Sequence, residues 1–189
     1  MVVGVLALQG DFEAHAGLLT RLGAEARIVR TPAELDGLDA LVLPGGESTT
    51  MIHGIEREGL AGPLRDLVTS GTPVLATCAG MIVLDRAHLD VLDLEARRNA
   101  FGRQVRSFET DLEVEGIEGG PLRAVFIRAP WVEEHGPGVE VLAQVDGHPV
   151  AVRQGEVTAV AFHPELTDDA RLHRRLIEAV AERREKEPV

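Results

Sequence analysis

The chain has 189 residues, 44% hydrophobic and 26% charged, with a formal net charge of −12 at pH 7, the make-up of an ordinary globular protein able to bury a full core within one domain. That acidity argues against a nucleic-acid partner, since phosphate binding needs a basic face, and no apolar run approaches the ~20 residues that span a bilayer. A lone cysteine, Cys78, cannot form an internal disulfide, so a reducing cytoplasm is the expected setting, and the N-terminus lacks the basic region and apolar core of a secretion signal.

In chain order, Val2–Leu8 is a near-continuous apolar run, the pattern of a parallel strand covered on both faces. Asp11 then caps a predicted helix reaching Leu22, with Ala14, Leu18, Leu19 and Leu22 on one stripe and Gly23 as the stop. Strands are predicted at Ala26–Val29 and Leu38–Leu43, the latter ending at Pro44-Gly45-Gly46, and helices at Thr49–Glu58 and Leu60–Ser70. A further strand, Pro73–Thr77, runs into Cys78. This βαβαβ alternation argues for an α/β fold with a parallel sheet and right-handed crossovers. The second half changes to short, glycine-punctuated strands at Ser107–Val114, Leu122–Ile127, Val139–Val145, His148–Arg153 and Val157–Phe162, with a hairpin over Val150–Val157. A last helix is expected over Asp168–Arg184, and residues 183–189 as a frayed tail of one 1–189 domain.

The string Val74-Leu75-Ala76-Thr77-Cys78-Ala79-Gly80-Met81 has the form of a nucleophile elbow. A tight strand-to-helix turn needs small neighbours, strains the nucleophile's backbone and aims its side chain out of the sheet. A thiol at a helix N-terminus is also favoured as thiolate. The same string is compatible with an inert buried cysteine. A base is offered by Ala161-Phe162-His163-Pro164-Glu165, where His163 ends an apolar strand and Glu165 follows two residues later. In extended backbone both side chains project to one side, and Pro164 favours that form. Such a carboxylate can hold a histidine's tautomer and orientation, although His-x-Glu pairs also arise by chance. His15, His53, His88, His135, His148 and His173 fall on predicted helix faces or turns and read as solvated, with His53 close behind the Gly45-Gly46 loop. The histidines show no metal-ligand spacing, so no metal is expected. In open α/β sheets ligands bind beyond the carboxyl ends of the strands, where Gly45-Gly46 and Cys78 both fall.

Taken with these motifs, Leu6-Ala7-Leu8-Gln9-Gly10, Pro44-Gly45-Gly46-Glu47-Ser48-Thr49-Thr50-Met51, Arg98-Asn99-Ala100-Phe101-Gly102-Arg103-Gln104, Phe126-Ile127-Arg128-Ala129-Pro130 and Phe162-His163-Pro164-Glu165-Leu166-Thr167 run in order from residue 6 to residue 167. The chain thereby resembles the class I (triad) glutamine amidotransferases, and within them the branch that forms the glutaminase subunit of pyridoxal 5′-phosphate synthase. The segment between the elbow helix and Arg98 is shorter than in many relatives. The resemblance implies a three-layer α/β/α, flavodoxin-like fold, with a mostly parallel sheet and extra antiparallel strands in the second half. It implies that Cys78, His163 and Glu165 form the triad hydrolysing L-glutamine to glutamate and ammonia, and that backbone N–H groups of Gly46 and Ala79 form the oxyanion hole. Gly45-Gly46, on its residues alone, need only be a turn with positive φ.

The resemblance further implies glutamine contacts at Gly46, Glu47, Ser48, Arg98, Ile127 and Arg128. Arg97 adjoins Arg98, and only the resemblance chooses between them; either arginine also suits a surface ion pair. Gln9 is linked by the resemblance to ordering of the oxyanion loop and the partner interface, but also suits a turn cap. The partner implied is the synthase subunit, which consumes the ammonia in vitamin B6 biosynthesis; no cofactor is expected on this chain. Alternatives are the glutaminase subunit of another amidotransferase, or a cysteine hydrolase of the DJ-1/PfpI type.

Overall fold

The computed structural model describes residues 1–102 and 107–186. Arg103 and Gln104 of the arginine-rich string, and residues 187–189 of the expected tail, lie outside the described residues. The elements are β1 (Val2–Leu6), α1 (Phe12–Arg21), β2 (Glu25–Val29), β3 (Ala40–Leu43), α2 (Ser48–Arg57), α3 (Ala61–Thr69), β4 (Val74–Thr77), α4 (Ala79–Leu84), β5 (Leu94–Arg97), β6 (Ser107–Leu112), β7 (Leu122–Ile127), β8 (Trp131–His135), β9 (Glu140–Val145), β10 (His148–Gln154), β11 (Val157–Val160) and α5 (Arg171–Lys186).

One seven-stranded sheet carries the fold, in the order β2-β1-β3-β4-β11-β10-β9. Strands β2, β1, β3, β4 and β11 pair in parallel, whereas β10 runs antiparallel to both β11 and β9. Helices cover both faces of the central parallel strands, so β3 and β4 are buried at every position. Helices α1 and α5 pack together on one face and α2 against α4 on the other, giving three α/β/α layers. The predicted hairpin joins β10 to β11, Gln154 opposite Val157, around Gly155 at φ 56°.

Asp11 caps α1 through its carboxylate on Ala14 N–H, as its position before the apolar stripe predicts. Two antiparallel pairs stand outside the main sheet, β6 with β7 and β5 with β8. Strands β5 and β8 are absent from the sequence reading. Each is short and charged on its exposed positions, so neither shows a buried period-2 run. The last helix starts at Arg171 rather than Asp168, because the Asp169 carboxylate accepts from Arg171 N–H, and it continues to Lys186 through residues expected to fray.

Candidate active site

Strand order brings the site together. Strands β1, β3, β4 and β11 are parallel neighbours, so the loops leaving their carboxyl ends carry Gln9-Gly10, Gly45-Gly46, Cys78 and His163 to one edge of the sheet. Cys78 has φ 47° and ψ −102°, a conformation that costs a non-glycine residue strain and that the elbow imposes. Its N–H is held by Val160 O at 2.7 Å, tying the elbow to the strand that delivers His163. The turn is close enough that a Cβ on Gly80 would come within 2.4 Å of Leu43 O, so glycine is required there. Ala79 is the first residue of α4, and its N–H therefore has no partner within the helix.

Gly45 lies against the side chains of both Cys78 and His163: a Cβ there would stand 2.4 Å from His163 Cε1 and 3.1 Å from Cys78 Cβ. Gly46 has φ 150°, and a Cβ on it would meet Gly10 Cα at 2.9 Å and Gln9 Oε1 at 3.1 Å. Gln9 thus lies against the predicted oxyanion glycine, its side-chain oxygen accepting from Gly10 N–H. His163 Nδ1–H donates to Glu165 Oε1 at 2.7 Å, which leaves Nε2 as the ring nitrogen not engaged by the carboxylate.

Burial alone would lower the pKa of His163, but its bonds to Cys78 and Glu165, and their charges, raise it to about 10. Burial likewise works to raise Glu165, yet His15 and His163 hold it down at about 2. The pair is therefore an imidazolium against a carboxylate at neutral pH.

Two histidines correct the sequence reading. His15 and His173, expected to be solvated, are fully buried. His15 lies on α1 with Leu18 and Leu19 at helical spacing, and His173 on α5 with Leu176 and Val180, so both sit on core-facing stripes. That spacing was the signal available in the sequence. His15 Nδ1 lies 2.8 Å from His173 Nε2, and His15 Nε2 lies 3.3 Å from Glu165 Oε2. His53 and His135 are exposed, while His88 is partly buried beside Asp85 and His148 stacks on Trp131.

Burial is the main cause that pushes His173 down to about 3. A depressed pKa contributes stability above the unfolded value of about 6.5 that is lost as pH falls toward 3. His163 acts in the opposite sense: its raised pKa gives stability fully present below about 6.5 and lost as pH rises through about 10. His173→Leu should therefore shift the difference in unfolding free energy between about pH 5 and about pH 7.5 by roughly 2 kcal/mol in favour of the acid side. Urea unfolding at the two pH values checks this, and an unchanged difference would mean that His173 is charged in the fold.

The residues expected to contact glutamine rim the same edge. Glu47 caps α2 by accepting from Thr50 N–H at 2.9 Å, and that bond holds its carboxyl below the usual range. Ser48 is buried beneath it. Arg98 Nη1 donates to Thr49 Oγ1 at 3.0 Å, whereas Arg97 turns away over Trp131 and toward Glu133. The structure thus separates the two arginines that composition leaves equivalent. Ile127 and Arg128 are exposed at the end of β7, a strand joined to the site by His163 N–H on Val125 O at 2.8 Å. Arg128 has φ 46°, and Ala129 O accepts from Ala100 N–H, linking this turn to the one behind Arg98. A separate cavity of about 310 Å³ lies under α5 at the amino end of β4, lined by Val74, Leu172 and Arg153 among others, and includes none of these residues. Among the described residues, no cluster of three or more His, Cys, Asp or Glu is arranged to hold a metal ion, and no helix is long and apolar enough to cross a membrane.

A strand-end elbow cysteine, a His–Glu pair from the adjacent strand and a glycine loop from the strand on the other side define the class I amidotransferase arrangement. The model of the SNO glutamine amidotransferase family matches residues 5–182, and the chain belongs to that family. It is 53% identical to the pyridoxal 5′-phosphate synthase subunit PdxT of Mycolicibacterium vanbaalenii, over 95% of this chain and 97% of that protein. The subunit of the same name from Frankia alni is 54% identical, over 94% of each chain. A crystal structure of a glutamine amidotransferase, 50% identical, superposes with a TM-score of 0.89 over 96% of this chain and all of that one.

Proposed function

We propose that Cys78, His163 and Glu165 are the nucleophile, acid–base group and orienting carboxylate with which this glutaminase hydrolyses L-glutamine, as the ammonia-producing subunit of pyridoxal 5′-phosphate synthase. The observation that carries the reading is a strained strand-end cysteine beside a His–Glu pair, in a chain more than half identical to subunits of that synthase over nearly its whole length.

Cys78 Sγ attacks the side-chain amide carbon, and the carbonyl oxygen becomes an oxyanion that accepts from the N–H groups of Gly46 and Ala79. His163 Nε2–H protonates the amide nitrogen as the C–N bond breaks, so ammonia leaves and a γ-glutamyl thioester remains. The now neutral His163 takes a proton from water, whose oxygen attacks the thioester carbon. The C–S bond breaks, and glutamate and the Cys78 thiolate are released. Glu165 stays ionised throughout and holds the imidazolium that forms. A guanidinium forks onto a carboxylate, which suits Arg98 and Arg128 to the α-carboxylate of glutamine, with Glu47, Ser48 and Ile127 completing that end. Gln9, resting on the Gly46 loop, is suited to pass docking of the synthase to the oxyanion site. A single catalytic thiol without a disulfide partner fits a reducing cytoplasm.

Free ammonia is lost to water unless a consumer is docked, so the reading predicts that adding the synthase subunit raises glutamate release from this chain. A coupled glutamate assay measures it. No response to that subunit, with a strong response to a different ammonia-consuming enzyme, would move the chain to a sister branch of the family.

A further inference from the structure

The geometry points to His15 as a positioning residue for the reaction: its Nε2–H holds the second oxygen of Glu165, and His173 behind it fixes the tautomer that makes this possible. The inference rests on Cys78, His163 and Glu165 being the triad. Glu165 spends Oε1 on His163, at 2.7 Å. Its Oε2 is buried with no hydrogen bond of ordinary geometry, and its ion-pair contact is His15 Nε2 at 3.3 Å. A carboxylate oxygen that has left water needs a donor there, or the ionised form is lost.

The remaining contacts decide which nitrogen of His15 carries the proton. A bare Nε2 would set its lone pair against the carboxylate, so Nε2 is the protonated nitrogen. In a neutral His15 ring Nδ1 then accepts, and the group 2.8 Å away is His173 Nε2, which therefore carries the proton of that ring. The assignment leaves His173 Nδ1 without a hydrogen, which agrees with its being buried and unpartnered, because a bare acceptor costs less there than an orphaned donor. Thr77 Oγ1, 3.4 Å from His15 Nε2, shares the same side of the ring and belongs to the residue before the nucleophile. A neutral relay thus runs from α5 through α1 to the triad. All three inner members, His15, His173 and Thr77, are fully buried, so no water competes for these bonds. The 3.3 Å contact is long for a resting bond and has room to tighten when His163 regains its proton from water in the second half of the reaction.

Three replacements at His15 separate positioning from packing. His15→Gln carries an amide to the place of Nε2 and keeps a donor for Glu165. His15→Asn carries one only to the place of Nδ1, and His15→Leu fills the space without polarity. The expected result is kcat within about 3-fold of wild type for Gln, and a loss of about 10–100-fold for Asn and Leu with KM for glutamine little changed, the usual cost of losing a partner behind a catalytic group. Thermal unfolding accompanies each assay, and where Leu does not fold, the Asn–Gln comparison alone decides. Equal kcat in Asn and Gln, or an unaltered kcat in Leu, overturns the positioning role. Glu165→Gln run alongside distinguishes the two readings: full activity there removes the triad itself, whereas an impaired Glu165→Gln beside fully active His15 variants removes only the role of His15.

Discussion

Cys78→Ala is expected to abolish glutamate release, cutting kcat by at least about 10⁴-fold while leaving the fold in place. In the proposed mechanism the sulfur both forms and breaks a bond to the substrate carbon, and no second thiol exists in the chain to replace it. The backbone of the elbow should survive the change. Cys78 is buried and strained at φ 47°, and alanine inherits the same φ with the same Cβ, so neither the elbow nor the bond from its N–H to Val160 O changes. What does change is His163, which loses one of the two partners that raise its pKa to about 10. NMR titration of the imidazole in the variant should show a lower value than in wild type. Retained glutaminase activity in Cys78→Ala would overturn the nucleophile assignment outright, and a collapsed fold would show that the thiol's packing had been undervalued.

Gly45→Ala should cost about 100–1,000-fold in kcat for a purely steric reason. Its added methyl would lie 2.4 Å from Cε1 and 2.8 Å from Nδ1 of His163, distances that packed carbon atoms do not reach. The imidazole cannot simply retreat, because Glu165 holds it at 2.7 Å and is itself fixed in the interior. Either the ring turns out of line with Cys78 or the loop after β3 moves and takes the Gly46 N–H with it; both spoil a geometry in which about 1 Å matters. Over-packing of this kind destabilises by about 1–3 kcal/mol, a fall of a few degrees in Tm. Gly62→Ala is the control: in α3 the added methyl meets nothing within 4 Å, so stability should hold or rise slightly and kcat should stay at wild type. Equal kcat in Gly45→Ala and wild type would mean that the loop rearranges freely and takes no part in aligning the site.

Much of this site is legible as sequence, because each component sits at a boundary between local structures. Cys78 joins a buried, mostly apolar strand to a helix opened by Ala79-Gly80, and His163 closes another apolar run before Pro164. Buried parallel strands leave such runs whatever their neighbours are. Helical spacing to Leu18 and Leu19, and to Leu176 and Val180, pointed His15 and His173 inward, but a lone histidine on a helix also reads as solvated. The stripes decide its direction only once α1 and α5 are known to pack together. Strands β5 and β8 were illegible for a related reason. Their residues are half charged, and each is a strand only through pairing with a segment more than 30 residues away.

The residue types of the triad, the strand ends that present them and the α/β class thus follow from short-range patterns of apolarity and turn chemistry in one dimension. Strand order is different in kind. Placing β3, β4 and β11 side by side, with Gly45 against Cys78 and His163, depends on pairings such as Leu41 with Val74 and Val74 with Val157, far apart along the chain. The same long-range packing separates Arg98 from Arg97 and sets a buried histidine pair behind Glu165. Contacts of that kind form when helices and strands close over a shared core, and no periodicity along the chain encodes which of two equivalent side chains will be on the inside.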